Sequence, residues 1–306
     1  METFLQQLVN GLTLGSIYAL VALGYTMVYG ILGLINFAHG EIVMVGALSA
    51  LAVYTAIGNA LPAPLVFLIG LSVAACVCMA LGWAVERIAY RPLRNAPRLA
   101  PLITAIGVSM VLQQIAMLFW GRRYHSIPAL LPGDIHDIFG ARIGDVQVVI
   151  MLAAAVAMSG LIVLVKKTRL GRAMRAVAEN PQVAALMGVN ADRIIALTFV
   201  IGSALAALAG VLVSANYGIA HYQMGFMLGL KAFTAAVLGG IGNLGGAMLG
   251  GVLLGVIEAM GAGYIGDLTG GFLGSNYQDV FSFLVLIAVL VFRPSGLMGE
   301  KVSERA

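Results

Sequence analysis

An all-α, polytopic membrane fold is predicted by three observations. Hydrophobic residues make up 61% of the 306-residue chain and charged ones 10%, against roughly 25% in soluble domains, and the mean hydropathy is +1.00. Uncharged runs recur that exceed the roughly 20 residues a spanning helix needs. The 39 glycines suit helices that pack backbone against backbone where no water is expelled. Together these exclude a soluble enzyme. The net charge of +4 belongs to membrane orientation, so no nucleic-acid partner is expected.

The elements follow in order. Thr3 to Ala38 carries no charge, is longer than one clean span, and holds the close-packing pair Gly11 and Gly15, so a broken or tilted first element is expected. The opening METFLQQLVNGL lacks the positive region of a signal peptide, and the first run is expected to be retained as a membrane helix. Asn36, His39 and Glu41 then interrupt the apolar character. Ile42 to Val85 is uncharged again, with a turn at Gly58 to Pro64, which gives two spans. Cys76 and Cys78 lie in this run facing different ways, and read as packing residues rather than a disulfide or metal pair.

Glu86 to Arg98 carries four arginines and two prolines and reads as a cytoplasmic loop. Leu102 to Phe119 spans, and the charge-balanced segment Gly121 to Asp145 suits the external side. Val146 to Val165 returns to Lys166 to Arg193, a basic island between apolar runs, and Ile194 to Ala220 spans once more. Ala232 to Ile257 is too long and glycine-rich for one helix, and LGGIGNLGG at Leu238 to Gly246 should break it. Gly246, Gly250, Gly251 and Gly255 then offer a small contact face, and Val280 to Phe292 is the last run. The inferred cytoplasmic segments hold 13 of the 17 basic residues, counting Arg293, Lys301 and Arg305 in the tail. About eight spans are expected, within seven to ten, with the side of the N-terminus open.

The island has its own pattern. Leu170, Met174 and Val177 recur at helical spacing, Arg175 and Glu179 form an i, i+4 pair, and Asn180-Pro181 is an N-cap followed by proline at the first helical position. Val183, Leu186 and Met187 share a face of the second short helix, and Gly188 can end it. Two short amphipathic helices on the cytoplasmic side suit docking of a soluble partner or contact with anionic membrane lipid.

Gly240, Gly242 and Gly245 match a dinucleotide-binding spacing, but the match lies in an apolar run without the required strand-turn-helix unit. No phosphate-binding GxxxxGK[ST] occurs, so the chain is expected to bind no cofactor, with ATP left to partner subunits. Four scattered histidines give no metal spacing, and no nucleophile-base pair supports a membrane enzyme. Ionisable groups at membrane depth cost about 3 kcal/mol each, which singles out His39, Glu41, Lys231 and Glu258. A wet interfacial position is the simpler expectation for each. Asn36, His39, Glu41 and Lys231 are the candidates for a substrate pathway.

Five stretches in this order resemble the shorter inner-membrane permease of the branched-chain (hydrophobic) amino acid ABC importers, the leucine/isoleucine/valine uptake family. They are INFAHGEIVMVGA at Ile35 to Ala47, YRPLRNAPRLAPLITAIGVSMVLQ at Tyr90 to Gln113, and RLGRAMRAVAENPQVAALMGVN at Arg169 to Asn190. LKAFTAAVLGGIGNLGGAMLGG at Leu230 to Gly251 and RPSGLMG at Arg293 to Gly299 complete the set. The resemblance implies an ABC importer permease fold with broken helices, in a single transmembrane domain over residues 1–306 of a bacterial inner membrane protein. It implies a second related permease, two cytoplasmic ATPase subunits and a periplasmic substrate-binding protein. It also makes residues 166–193 the ATPase-coupling loop, carried by Arg172, Ala178, Glu179, Asn180, Ala184 and Gly188, with Arg175 and Met187 on the same two helices. The same machine carrying urea or short amides is the alternative, and a stand-alone secondary carrier or channel the more distant one.

Overall fold

The computed structural model describes residues 2–58, 60–94, 96–97, 99–127, 133–138, 140–270, 277–293 and 295–299. Arg98, Lys301 and Arg305, used in the charge count, lie outside the described residues, as do Asn59, Asn95 and Pro294 of the quoted stretches. The long helices are α1 (Glu2–Leu32), α2 (His39–Ile57), α3 (Ala63–Val85), α4 (Leu99–Trp120), α5 (Asp145–Lys167), α8 (Ala191–Tyr217) and α10 (Leu244–Leu268). Among the described residues these seven are long and apolar enough to cross a membrane. The shorter α9 (Met224–Gly239) and α11 (Gln278–Phe292) complete the bundle, and α6 (Arg169–Glu179) and α7 (Pro181–Leu186) stand between α5 and α8.

Helices α1, α2 and α8 are mostly buried, whereas α3, α4 and α5 are mostly exposed. The outer faces carry Leu68, Met110, Leu118, Leu152 and Val156 into the surroundings, as lipid contact requires. Small residues bring the inner helices together. A Cβ on Gly15 would lie 2.7 Å from the Val252 backbone, and one on Gly11 2.6 Å from that of Val256, so α1 and α10 meet at backbone contact. The α10 glycines divide their work: Gly251 and Gly255 abut Ala19 and Gly15 of α1, while Gly246 and Gly250 abut Gly239 and Ala235 of α9. The expected single small face is therefore two.

Of the two forms expected for the first element, broken or tilted, a break is excluded over its first helix, which runs unbroken for 31 residues. The arginine-rich segment after Val85 is not a loop at its start, because α3 runs on through a π-helical turn at Glu86–Tyr90 and a 3₁₀ turn at Arg91–Leu93. The bundle also carries two small antiparallel ribbons, β1 (His125–Ser126) with β4 (Ile219–Ala220) and β2 (Ile135–Ile138) with β3 (Ala141–Gly144).

The expected break between α9 and α10 is present. Gly240 and Gly242 take φ of +104° and +96°, a region that glycine enters without steric cost, and Asn243 Oδ1 accepts from Gly246 N to cap α10. The C-terminal motif closes over this turn: Leu297 N and Met298 N donate to Leu238 O and Gly239 O. The start of α1 reaches the β2–β3 ribbon, where Gln6 Nε2 donates to Arg142 O and Arg142 N to Gln6 Oε1. With residues 121–145 read as external by their charge balance, the start of α1 lies on that same side. Gly24 of α1 leaves room for the His39 ring, and Cys78, free and buried, donates to Ile42 O at 3.3 Å while Cys76 faces outward.

Candidate functional site

The island folds as its sequence dictates. Thr168 Oγ1 accepts from Gly171 N to cap α6, and Asn180 Oδ1 accepts from Gln182 N and Val183 N to cap α7. Gly188 takes φ +82° and ends the second helix. The two helices use their apolar residues differently. Met174 and Val177 of α6 are buried against the bundle, whereas Val183, Leu186 and Met187 of α7 project outward, the last two more than 80% exposed. Arg172, Arg175, Ala178, Glu179, Asn180 and Gly188 are exposed as well.

Two details differ from expectation. Arg175 Nη1 donates to the Val165 carbonyl, and among the described residues no ion pair joins Arg175 to Glu179. Ala184 is 4% exposed and packs inward, so it positions α7 rather than presenting a contact surface. A small cavity of about 120 Å³ lies behind α6, lined by Met27 and Ile31 of α1, Val165, Arg175, Ala178 and Gly242. The island therefore abuts both the inner end of α1 and the α9–α10 turn.

A cluster missed in the sequence lies beside it. Glu86 is fully buried in the π-turn and accepts from Arg91 Nε at 3.3 Å and Nη2 at 3.2 Å, and from Arg94 Nη2. Arg94 Nη1 also donates to Asp192 Oδ1 at 2.5 Å, in the first turn of α8. Tyr90, on the same π-turn, packs its ring at a tilt against Phe199 of α8 and donates to Asn36 Oδ1 at 3.0 Å. The foot of α8 is thus joined through α3 to the bend that precedes α2.

That bend carries the candidate pathway residues into the protein interior. Asn36, His39 and Glu41 are 1–2% exposed, so the wet interfacial expectation is corrected for His39 and Glu41. Asn36 Oδ1 accepts from Ala38 N and shapes the bend. Glu41 Oε1 accepts from Gln113 Nε2 at 2.7 Å and Ser109 Oγ at 3.1 Å, near the middle of α4. Among the described residues its other oxygen, Oε2, has no hydrogen-bond partner, and neither do Asn36 Nδ2 and His39 Nε2, all buried. Unmade hydrogen bonds at buried groups cost about 1–3 kcal/mol each, so three of them on one bend carry a standing cost. Opposite Glu41 runs a glycine seam: Gly40 meets Gly225 and Gly229 of α9 at backbone contact, and a Cβ on Gly225 would lie 2.8 Å from Glu41 Oε2.

Lys231 sits apart from this group. Its Nζ lies 2.6 Å from Glu258 Oε1 and 2.7 Å from Asp279 Oδ1, and the Tyr18 hydroxyl is 3.1 Å from each oxygen of Glu258. Glu258 is 1% exposed, so it too is interior rather than interfacial. Sequence reasoning had Lys231 and Glu258 but not their pairing, which spans 27 residues. The structure thus divides the four pathway candidates into one group of three, Asn36, His39 and Glu41, and Lys231 in a second cluster. Among the described residues, no group of three or more His, Cys, Asp or Glu side chains could hold a metal ion.

Residues 7–290 match the family described as "Branched-chain amino acid transport system / permease component". Over 99% of its length the chain is 49% identical to the high-affinity branched-chain amino acid transport system permease protein BraD of Pseudomonas aeruginosa, 98% of which is covered. It is 47% identical to the corresponding protein LivH of Salmonella typhimurium and 46% to that of Escherichia coli, with 99% of this chain and 97% of each relative covered.

Proposed function

The chain belongs to the permease family of branched-chain amino acid transport systems, and from that premise we propose how its parts divide the work of import. It is a multi-pass inner membrane permease subunit of a multi-component ABC system, not an enzyme. Its cargo is leucine, isoleucine, valine or another hydrophobic amino acid. Its partners are a second related permease, two cytoplasmic ATPases that carry the ATP, and a periplasmic binding protein that delivers the substrate.

The observation that carries this reading is the α6–α7 element. It offers Val183, Leu186 and Met187 to the cytoplasm at the joint between two membrane helices, while its other face is seated on the bundle. An exposed apolar edge on a capped, well-seated helix pair suits a protein groove. Movement of an ATPase would enter here and pass to α5 and α8, whose other ends are outside. The buried groups Asn36, His39 and Glu41 then lie where the amino acid crosses, at the α2–α9 glycine seam. Backbone contact across that seam closes the route in this state, and a shift of α9 would open it.

The test is purification of the chain with its native partners, followed by uptake in vesicles. Co-purification of two ATPases and a second permease, with ATP-driven leucine uptake, is the expected result. Urea uptake in preference to leucine would overturn the cargo, and ion-driven uptake by this chain alone would overturn the importer.

A further inference from the structure

Another cavity among the described residues lies away from the coupling loop and from Asn36, His39 and Glu41. It has a volume of about 370 Å³ and lies where α8 ends and α9 begins, far from the island at the start of α8. Tyr124, Tyr217 and His221 stand around it, Val213, Met224, Met227 and Leu228 give it an apolar wall, and Lys231 and Tyr18 complete its lining. Glu258 and Asp279 stand behind these two and define its inner end. We infer that the inner end of this cavity is a zwitterion-binding subsite, where Lys231 receives the α-carboxylate of an incoming amino acid and Asp279 with Glu258 receives its α-ammonium group. The inference rests on the amino acid cargo proposed above.

Charge and donor counting support it. An ammonium group has three N–H donors, and Lys231 gives one to Glu258 and meets Asp279 Oδ1 as an ion pair without a hydrogen bond, so donor capacity remains for an entering carboxylate and Asp279 Oδ1 remains free to accept. Two carboxylates stand against one ammonium, so the cluster as it is carries a surplus negative charge. An entering ammonium offsets it and an entering free carboxylate does not. Asp279 is the accessible member, its side chain 31% exposed, whereas Glu258 is held at the back by the Tyr18 hydroxyl. The neighbouring Val213, Met227 and Leu228 meet a branched aliphatic side chain without any polar group to leave unpaired. An uncharged solute such as urea could hydrogen-bond to these groups but would gain no ion pair from them.

Two measurements on the full complex test it. In the first, hydroxyl-radical footprinting of the wild-type complex without binding protein follows oxidation of Met224 and Met227. Millimolar leucine is expected to slow Met224 oxidation, whereas leucine amide, lacking the carboxylate, and 4-methyl-2-oxopentanoate, lacking the ammonium, are not. In the second, Lys231→Gln and Asp279→Asn are expected to lower binding-protein-driven leucine uptake by about tenfold or more, the scale of one lost charge-assisted contact. The exchange Lys231→Glu with Glu258→Lys, made in the Asp279→Asn background because a carboxylate at 231 would otherwise face Asp279, keeps an ion pair and should match the thermal stability of Asp279→Asn without restoring uptake. Oxidation of Met224 that is indifferent to leucine, or an exchange that restores uptake, would overturn the subsite and leave a structural ion cluster. Failure of the wild-type complex to take up leucine would instead sink the cargo assignment itself.

Discussion

Glu41 and Glu86 are both carboxylates of about 1% exposure or less, and the chain treats them in opposite ways. Glu86 has both oxygens engaged by arginines, and both arginines also pair with Asp192, Arg94 across 98 residues of sequence. Glu41 has one oxygen held by Ser109 and Gln113 and the other left open toward a glycine seam. A buried charge that is fully paired behaves as a fastener, because removing either member strands the other. A buried charge that is half paired carries a standing cost, which is offset only where something else comes to meet it. The contrast separates what holds this bundle from what the bundle is for.

The sharpest way to break the contrast is Glu86→Ala. It would leave Arg91 and Arg94 crowded together without their shared counter-ion, and a loss of about 3–5 kcal/mol is expected, as for other broken buried pairs. Thermal unfolding in detergent would show it as a large fall in midpoint. A midpoint close to wild type would mean that the cluster is not a fastener. Next in size is Gly225→Val, which would push side-chain atoms into Glu41 Oε2 and the Gly40 backbone. Overpacking of this kind costs about 1–3 kcal/mol, and uptake should be lost because α2 and α9 can no longer meet.

How much of this was legible before the fold was seen follows the range over which each signal acts. The α6–α7 pair was legible because its signals are local: Asn180 caps the segment it precedes, and Leu170, Met174 and Val177 mark one face within a few turns. The glycines of α10 announced close contact but not with whom, and they turned out to serve both α1 and α9. Glu86 was illegible, since Arg91 and Arg94 satisfy the orientation rule for membrane loops whether or not they are paired. Their second partner, Asp192, sits beyond two helical spans in the sequence. Glu41 was read as wet because it follows a glycine in a polar bend. Nothing local reveals that α2 begins inside the bundle, at the level of Ser109 and Gln113 in the middle of α4.

Glu41→Gln sharpens the other half of the contrast. The amide keeps an oxygen for Ser109 and Gln113 while removing the uncompensated charge, so stability should stay within about 1 kcal/mol of wild type or rise. ATP-driven uptake is nevertheless expected to fall well below the wild-type rate. Uptake that survives at the wild-type rate would return Glu41 to the class of packing residues, with an open oxygen that no cargo meets.

The smallest expected effect is also the most discriminating. Asp192 binds Arg94 at 2.5 Å but is more than half exposed, with a side-chain exposure of 57%, so solvent screens the pair and Asp192→Asn should cost no more than about 1 kcal/mol. If the Glu86 cluster is only a fastener, Glu86 continues to hold both arginines in this variant, and uptake should stay within about twofold of wild type. The position of Asp192 gives the measurement its force, because it sits in the first turn of α8, immediately beyond the α6–α7 pair. Motion of that pair must pass this turn on its way to Phe199, Tyr90 and Asn36. A variant that assembles, melts as wild type does and hydrolyses ATP, yet no longer imports leucine, would show that the paired cluster transmits motion as well as binding helices together. Full pairing and functional use would then not be alternatives in this chain.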